Sequence, residues 1–147
     1  MSFILTQQEA DDLLGIEKHY FGNDLFTFPS LGGALRILLH SRDSREEFSF
    51  DITRSCIVLT KNTFQTRAKK TIVLARIDIG GAPHRNPDGK EILCPHLHVY
   101  REGYGDQWAI PVPGNFSNSM TAWQIMNEFM DYCKVITKPI IHEELFT

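Results

Sequence analysis

The stretch EEFSFDIT, residues 46–53, decides the fold. Phe48, Phe50 and Ile52 alternate with Glu47, Ser49, Asp51 and Thr53, a period of two that sends the apolar set to one face of a strand and the polar set to the other. Upstream, LFTF (25–28) and ALRILLH (34–40) are split by Pro29 and the Gly32–Gly33 pair, the texture of two short strands and a turn. Downstream, CIVLT (56–60) and TIVLARIDI (71–79) are rich in β-branched residues and are read as strands, with the basic segment KNTFQTRAKK (61–70) between them. The segment GGAPHRNPDGKE (80–91) is Gly- and Pro-rich and is expected to be a long irregular loop. DQWAIPVP (106–113) adds a strand in which Pro111 denies a ladder hydrogen bond, which places it at an edge or a bulge.

Helices are expected only at the two ends. Thr6 and Glu9 have capping-box spacing, and Ala10, Leu13, Leu14 and Tyr20 recur at helical intervals, which predicts a helix over 7–20 that stops near Gly22. Ser119 is expected to cap a second helix whose apolar stripe is Ala122, Met126, Phe129, Met130 and Cys133, stopped by Pro139. No helical crossover separates the strands, so parallel pairing is hard to build. The sequence therefore predicts one α+β domain over 1–147, a mostly antiparallel, curved sheet of about six or seven strands with a helix at each terminus.

Composition narrows the function. The chain has 147 residues, enough to bury a core without staples, and its 15 Lys plus Arg against 18 Asp plus Glu give a net charge of −3. Such a field does not favour a polyanion, so contact with nucleic acid needs a local patch. Cys56, Cys94 and Cys133 are odd in number and form no CxxC pair, which argues against a disulfide framework and a thiolate zinc cluster; Cys56 and Cys133 are expected in the core. Neither a leader nor a run of roughly 20 apolar residues is visible, so the expectation is a cytoplasmic protein with no membrane partner.

The chemistry gathers in EILCPHLHVYREGYGDQW, residues 91–108. Cys94, His96, His98 and Tyr100 occupy alternate positions, so in a strand all four share a face opposite Leu97 and Val99. Cleaving RNA through its own 2′-hydroxyl needs a base, an acid and a cation for the phosphate. His96, His98 and His84 are candidate proton carriers, and Arg76, Arg85 and Arg101 can hold phosphate through bidentate bonds. Tyr100 and Tyr104 can stack a base, and Lys61, Arg67, Lys69 and Lys70 around Phe64 can cradle a backbone. A plain alternative is that Arg76 and Asp78 only form an ion pair and that His84 only shapes its turn. Cys94, His96 and His98, with His84 as a fourth, also have metal-ligand chemistry, but HxH pairs on wet sheet faces are common and no second cluster supports this one. No metal and no cofactor is assigned, and a metal-dependent hydrolase ranks third among the readings.

The patterns ARIDIGGAPHRNPDG (75–89) and CPHLHVYREGYGDQW (94–108) resemble an uncharacterised family of small proteins found on bacterial prophages and genomic islands. Residues 76–101, an arginine and an aspartate on a strand, a Pro-His loop and then Pro-His-x-His, are more remotely similar to toxins of toxin–antitoxin pairs. That resemblance implies a metal-independent ribonuclease with Arg76, His84, His96 and His98 in the matching positions, held in check by a cognate antitoxin. This chain is longer and more acidic than such toxins. Mobile elements also carry inhibitors of host defence, such as anti-CRISPR proteins, that act by binding alone. In that second reading the acidic Glu9, Asp11, Asp12 and Glu17 of the first helix, with Glu143 and Glu144 of the tail, dock on a basic host defence protein. A homodimer is compatible with either.

Overall fold

The computed structural model describes residues 4–114, 116 and 121–143. Helix α1 spans Gln7–Gly15 and opens on the expected capping box, in which Thr6 accepts from the Glu9 amide and Glu9 from the Thr6 amide. It ends five residues earlier than the sequence predicts, because the buried Lys18 turns back and its Nζ donates to Leu14 O and Ile16 O at 2.9 Å and to Cys133 O at 2.8 Å. These helix-terminal carbonyls have no intrahelical donor, so one ammonium closes the end of both helices. Strands β1 (Lys18–His19), β2 (Leu25–Thr27), β3 (Ala34–His40), β4 (Glu47–Arg54), β5 (Asn62–Ala68) and β6 (Ile72–Ile79) follow. The chain continues through β7 (His84–Arg85), β8 (Glu91–Ile92), β9 (His96–Val99), β10 (Ala109–Pro111), helix α2 (Ala122–Tyr132), β11 (Val135–Thr137) and β12 (Ile140–His142).

Eight strands form one open sheet in the order β10-β9-β6-β5-β4-β3-β1-β11. Every pairing is antiparallel except β1 with β11. The sheet is wider than predicted for two reasons. NTFQTRA, within the segment placed between two strands, is itself β5, with Phe64, Thr66 and Ala68 buried at alternate positions. The pieces β1 and β11, too short to show a period, extend the opposite edge. Two small sheets, β12 with β2 and β7 with β8, complete the strands. One face of the large sheet carries Phe48, Phe50, Ile52, Phe64, Ile77 and Leu97, which with α1 and α2 form a single apolar core. On the other face a polar row runs across five strands in register: Arg36, Asp51, Gln65, Arg76 and His98.

CIVLT is not a strand. Ser55 Oγ accepts from the amides of Ile57 and Val58 at 3.1 and 3.0 Å, so the segment closes as a tight turn and leaves Ile57 88% exposed. Cys56 is exposed with it rather than in the core, whereas Cys133 is fully buried. Ser119 lies outside the described residues; the cap of α2 is Thr121, in a capping box with Gln124. The helix stops at Cys133, before Lys134 at φ 62°, and Pro139 instead separates β11 from β12. The long Gly/Pro segment is not irregular throughout. Asn86 is buried beside β10, where its side chain donates to Ala109 O at 2.9 Å and accepts from Ala109 N at 2.8 Å. Among the described residues no helix is long and apolar enough to cross a membrane.

Candidate active site

Period two on both partners builds the site. Arg76 and Asp78 are two apart on β6, His96 and His98 two apart on β9, and the antiparallel register sets Asp78 opposite His96 and Arg76 opposite His98. All four therefore share the polar face. Asp78 Oδ2 lies 3.1 Å from His96 Nε2 and 3.2 Å from His98 Nε2. Thr63 on β5 donates to the other oxygen at 3.1 Å. The Arg76 guanidinium lies 3.2 Å from Asp78, binds Asp106 Oδ2 at 2.6 Å and donates from Nη2 to His98 Nε2 at 3.1 Å.

A backbone carbonyl can only accept, so two tautomeric details follow from geometry. His98 carries its proton on Nδ1 and donates it to Asp106 O at 2.7 Å, and His84 donates from Nε2 to Gln107 O at 2.7 Å. His84 closes over the pair, its ring centroid 4.6 Å from that of His98 and 5.9 Å from that of His96. His96 and His98 are only 2% and 0% exposed. Burial alone would raise the Asp78 carboxyl, but the His96 and His98 imidazoles against its Oδ2 and the charge of Arg76 outweigh it and hold the group well below the usual carboxylate range. Asp78 is thus an anion that orients two imidazoles. Cys94 sits on the far side of His96, its Sγ 3.5 Å from Nδ1, and burial together with the Asp78 charge pushes its thiol up, the wrong direction for a thiolate nucleophile.

The structure gathers four sequence candidates, Arg76, His84, His96 and His98, and leaves the others elsewhere. Tyr100 follows the end of β9 and its ring enters the core, where its hydroxyl donates to Leu5 O at 2.7 Å and accepts from Leu5 N at 3.0 Å. It does not share the histidine face. Arg85 pairs with Glu91 at 3.2 Å in solvent. Arg101 stacks 4.2 Å from the Trp108 ring, and Tyr104 meets the same indole edge-on. Lys69 and Lys70 form the turn between β5 and β6, at the opposite end of β6 from Asp78, with Lys69 bound to Glu46 at 3.1 Å. The four-residue metal set does not converge either, since Cys94 faces the Nδ1 side of His96 and His84 Nε2 is held by Gln107. Asp78, Asp106 and Thr63 were missing from the sequence-derived set. Asp106 reaches the site through a loop and has no periodic signal, whereas Asp78, read only as an ion-pair partner of Arg76, carried a signal in its RxD spacing, the counterpart of HxH.

A family model matches residues 5–135, nearly the whole of this architecture. The chain belongs to DUF6978, a family of unknown function. The match agrees with the resemblance in its coarse form, an uncharacterised family, and carries no link to mobile elements or toxins. No curated protein and no solved structure matches the chain.

Proposed function

We propose that the protein acts on RNA as a toxin-like, metal-independent ribonuclease. The observation that supports this reading is the convergence of two imidazoles on one carboxylate oxygen beside an arginine. In this scheme His96 takes the proton of the 2′-hydroxyl, Arg76 turns from His98 Nε2 to the phosphate, and His98, in its imidazolium form with Nδ1–H kept on Asp106 O, gives its Nε2 proton to the leaving 5′-oxygen. Asp78 orients both rings, and His84 lies on the solvent side. Access requires the arm 80–85 to swing out, breaking the bond of His84 to Gln107 and the 3.5 Å thiol contact of Cys94 to Ala82, while Asn86 keeps the other arm on β10.

The test is incubation of the untagged protein with labelled single-stranded RNA in the presence of a chelator, beside the His96→Ala and His98→Ala variants checked by circular dichroism. The proposal expects products ending in a 2′,3′-cyclic phosphate from wild type and a loss of about 10²-fold or more in either variant. Intact RNA after prolonged incubation with folded wild type would overturn it.

The burial of both histidines favours a second reading, an inhibitor that binds a host defence protein and uses the cluster for architecture alone. Its surface is the exposed acidic side of α1, with Glu9, Asp11 and Asp12. Charge reversal there should release a co-purifying partner, whereas the histidine variants should leave it bound.

A further inference from the structure

We propose that Asp78, His96 and His98 form a site for one divalent transition-metal cation of the zinc class. Three ligand atoms, Asp78 Oδ2 and the two Nε2 atoms, lie within 4.8 Å of one another. The 3.1 and 3.2 Å carboxylate-to-imidazole separations are close to the edge of a tetrahedron with bonds of about 2.0–2.1 Å, which is roughly 3.4 Å. Second contacts aim the ligands. His98 gives its Nδ1 proton to Asp106 O, so its Nε2 lone pair points inward, and Thr63 and Arg76 hold the outer oxygen of Asp78.

The space between these ligand atoms already seats a cationic group: Arg76 Nη2 lies 3.1 Å from His98 Nε2 and 3.4 Å from Asp78 Oδ2. Asp78 and Asp106 also set two carboxylates against the one guanidinium of Arg76 in this half-buried cluster. Arg76 Nη2 now stands beside His98 Nε2, but Nη1 is anchored on Asp106 at 2.6 Å, so the guanidinium can turn away without losing that pair. Three protein ligands leave a fourth position for water. The site itself is independent of the ribonuclease reading, but its consequence rests on that reading: a bound ion occupies both proton carriers and silences cleavage.

Untagged protein, stripped with a chelator, is titrated with zinc by calorimetry and with cobalt(II) by visible absorption. The proposal expects one equivalent per chain, an intense tetrahedral cobalt spectrum, a rise in unfolding temperature with zinc, and affinity reduced at least about tenfold in Asp78→Asn and His98→Ala. Zinc-induced shifts of the His96 and His98 imidazole resonances in wild type locate the ion even where a variant fails to fold. No saturable binding, or shifts confined to His19, His40 or His142, overturns the proposal. Zinc binding without RNA cleavage under any condition removes only the ribonuclease reading; cleavage without zinc binding removes only the cation site.

Discussion

Lys18→Met should destabilise the protein and reveal a hidden dependence on pH. The ammonium is 0% exposed and serves three carbonyls, and burial pushes its pKa from 10.5 down to about 8. That depression of roughly 2.5 units corresponds to about 3 kcal/mol of dehydration carried below pH 8. Removing the amine relieves this cost but orphans three buried carbonyls at about 1–3 kcal/mol each, a net loss of about 3 kcal/mol near pH 7. The neighbouring titratable groups are Cys133 and Lys134, and burial raises the Cys133 thiol from 9.0 to about 12. Between pH 9 and 10 the unfolded chain keeps the Lys18 proton that the folded chain has lost, so this group makes stability rise by up to about 1.4 kcal/mol per pH unit. Cys133 acts oppositely, because the folded chain keeps a proton that the unfolded chain gives up. The two slopes oppose each other in wild type. Urea unfolding followed from pH 7 to 10 should therefore fall more steeply above pH 9 for Lys18→Met than for wild type, by about 1 kcal/mol per unit, and less steeply for Cys133→Ala. Parallel profiles for wild type and Lys18→Met would refute the reasoning.

Asn86→Ala leaves the Ala109 N–H and C=O without their side-chain partner and should cost about 2–4 kcal/mol, seen as a fall in melting temperature of roughly 10 °C; a drop under about 2 °C would show that water replaces the amide. Tyr100→Phe removes both hydrogen bonds to Leu5 and should cost about 1–2 kcal/mol in chemical denaturation while leaving RNA cleavage intact, whereas lost cleavage in a folded variant would return Tyr100 to the site. Lys69 and Lys70 occupy left-handed backbone at φ 52° and 69°, so Lys69→Asn with Lys70→Gly should stabilise by about 1 kcal/mol; a rise in the unfolding rate would contradict it.

Much of this was written in periods. The alternation around Phe50 gave the central strand and its buried face, and RxD and HxH, each of period two, were enough to bring Arg76, His96 and His98 together once β6 and β9 paired. Local patterns failed where a single side chain overruled propensity. Ser55 turned the β-branched CIVLT into an exposed loop, and Lys18 ended α1 before Tyr20 could join it. Tyr100 illustrates a different limit: alternation predicts its face only while the strand lasts, and β9 stops at Val99. Asp106 enters through an antiparallel bridge between Arg101 and Gly105 and the loop after it, a geometry no spacing rule encodes.

The amide of Asn86 also decides which copies and partners can extend the sheet. Among the described residues β10 is the outermost strand on its side, and an unpaired edge is a template on which another chain can zip. Asn86 behaves as a strand one residue long, occupying both polar groups of Ala109, and Pro111 brings no donor of its own. That edge therefore refuses a visitor, and strand addition to the large sheet is left to its other side, where β11 is outermost among the described residues.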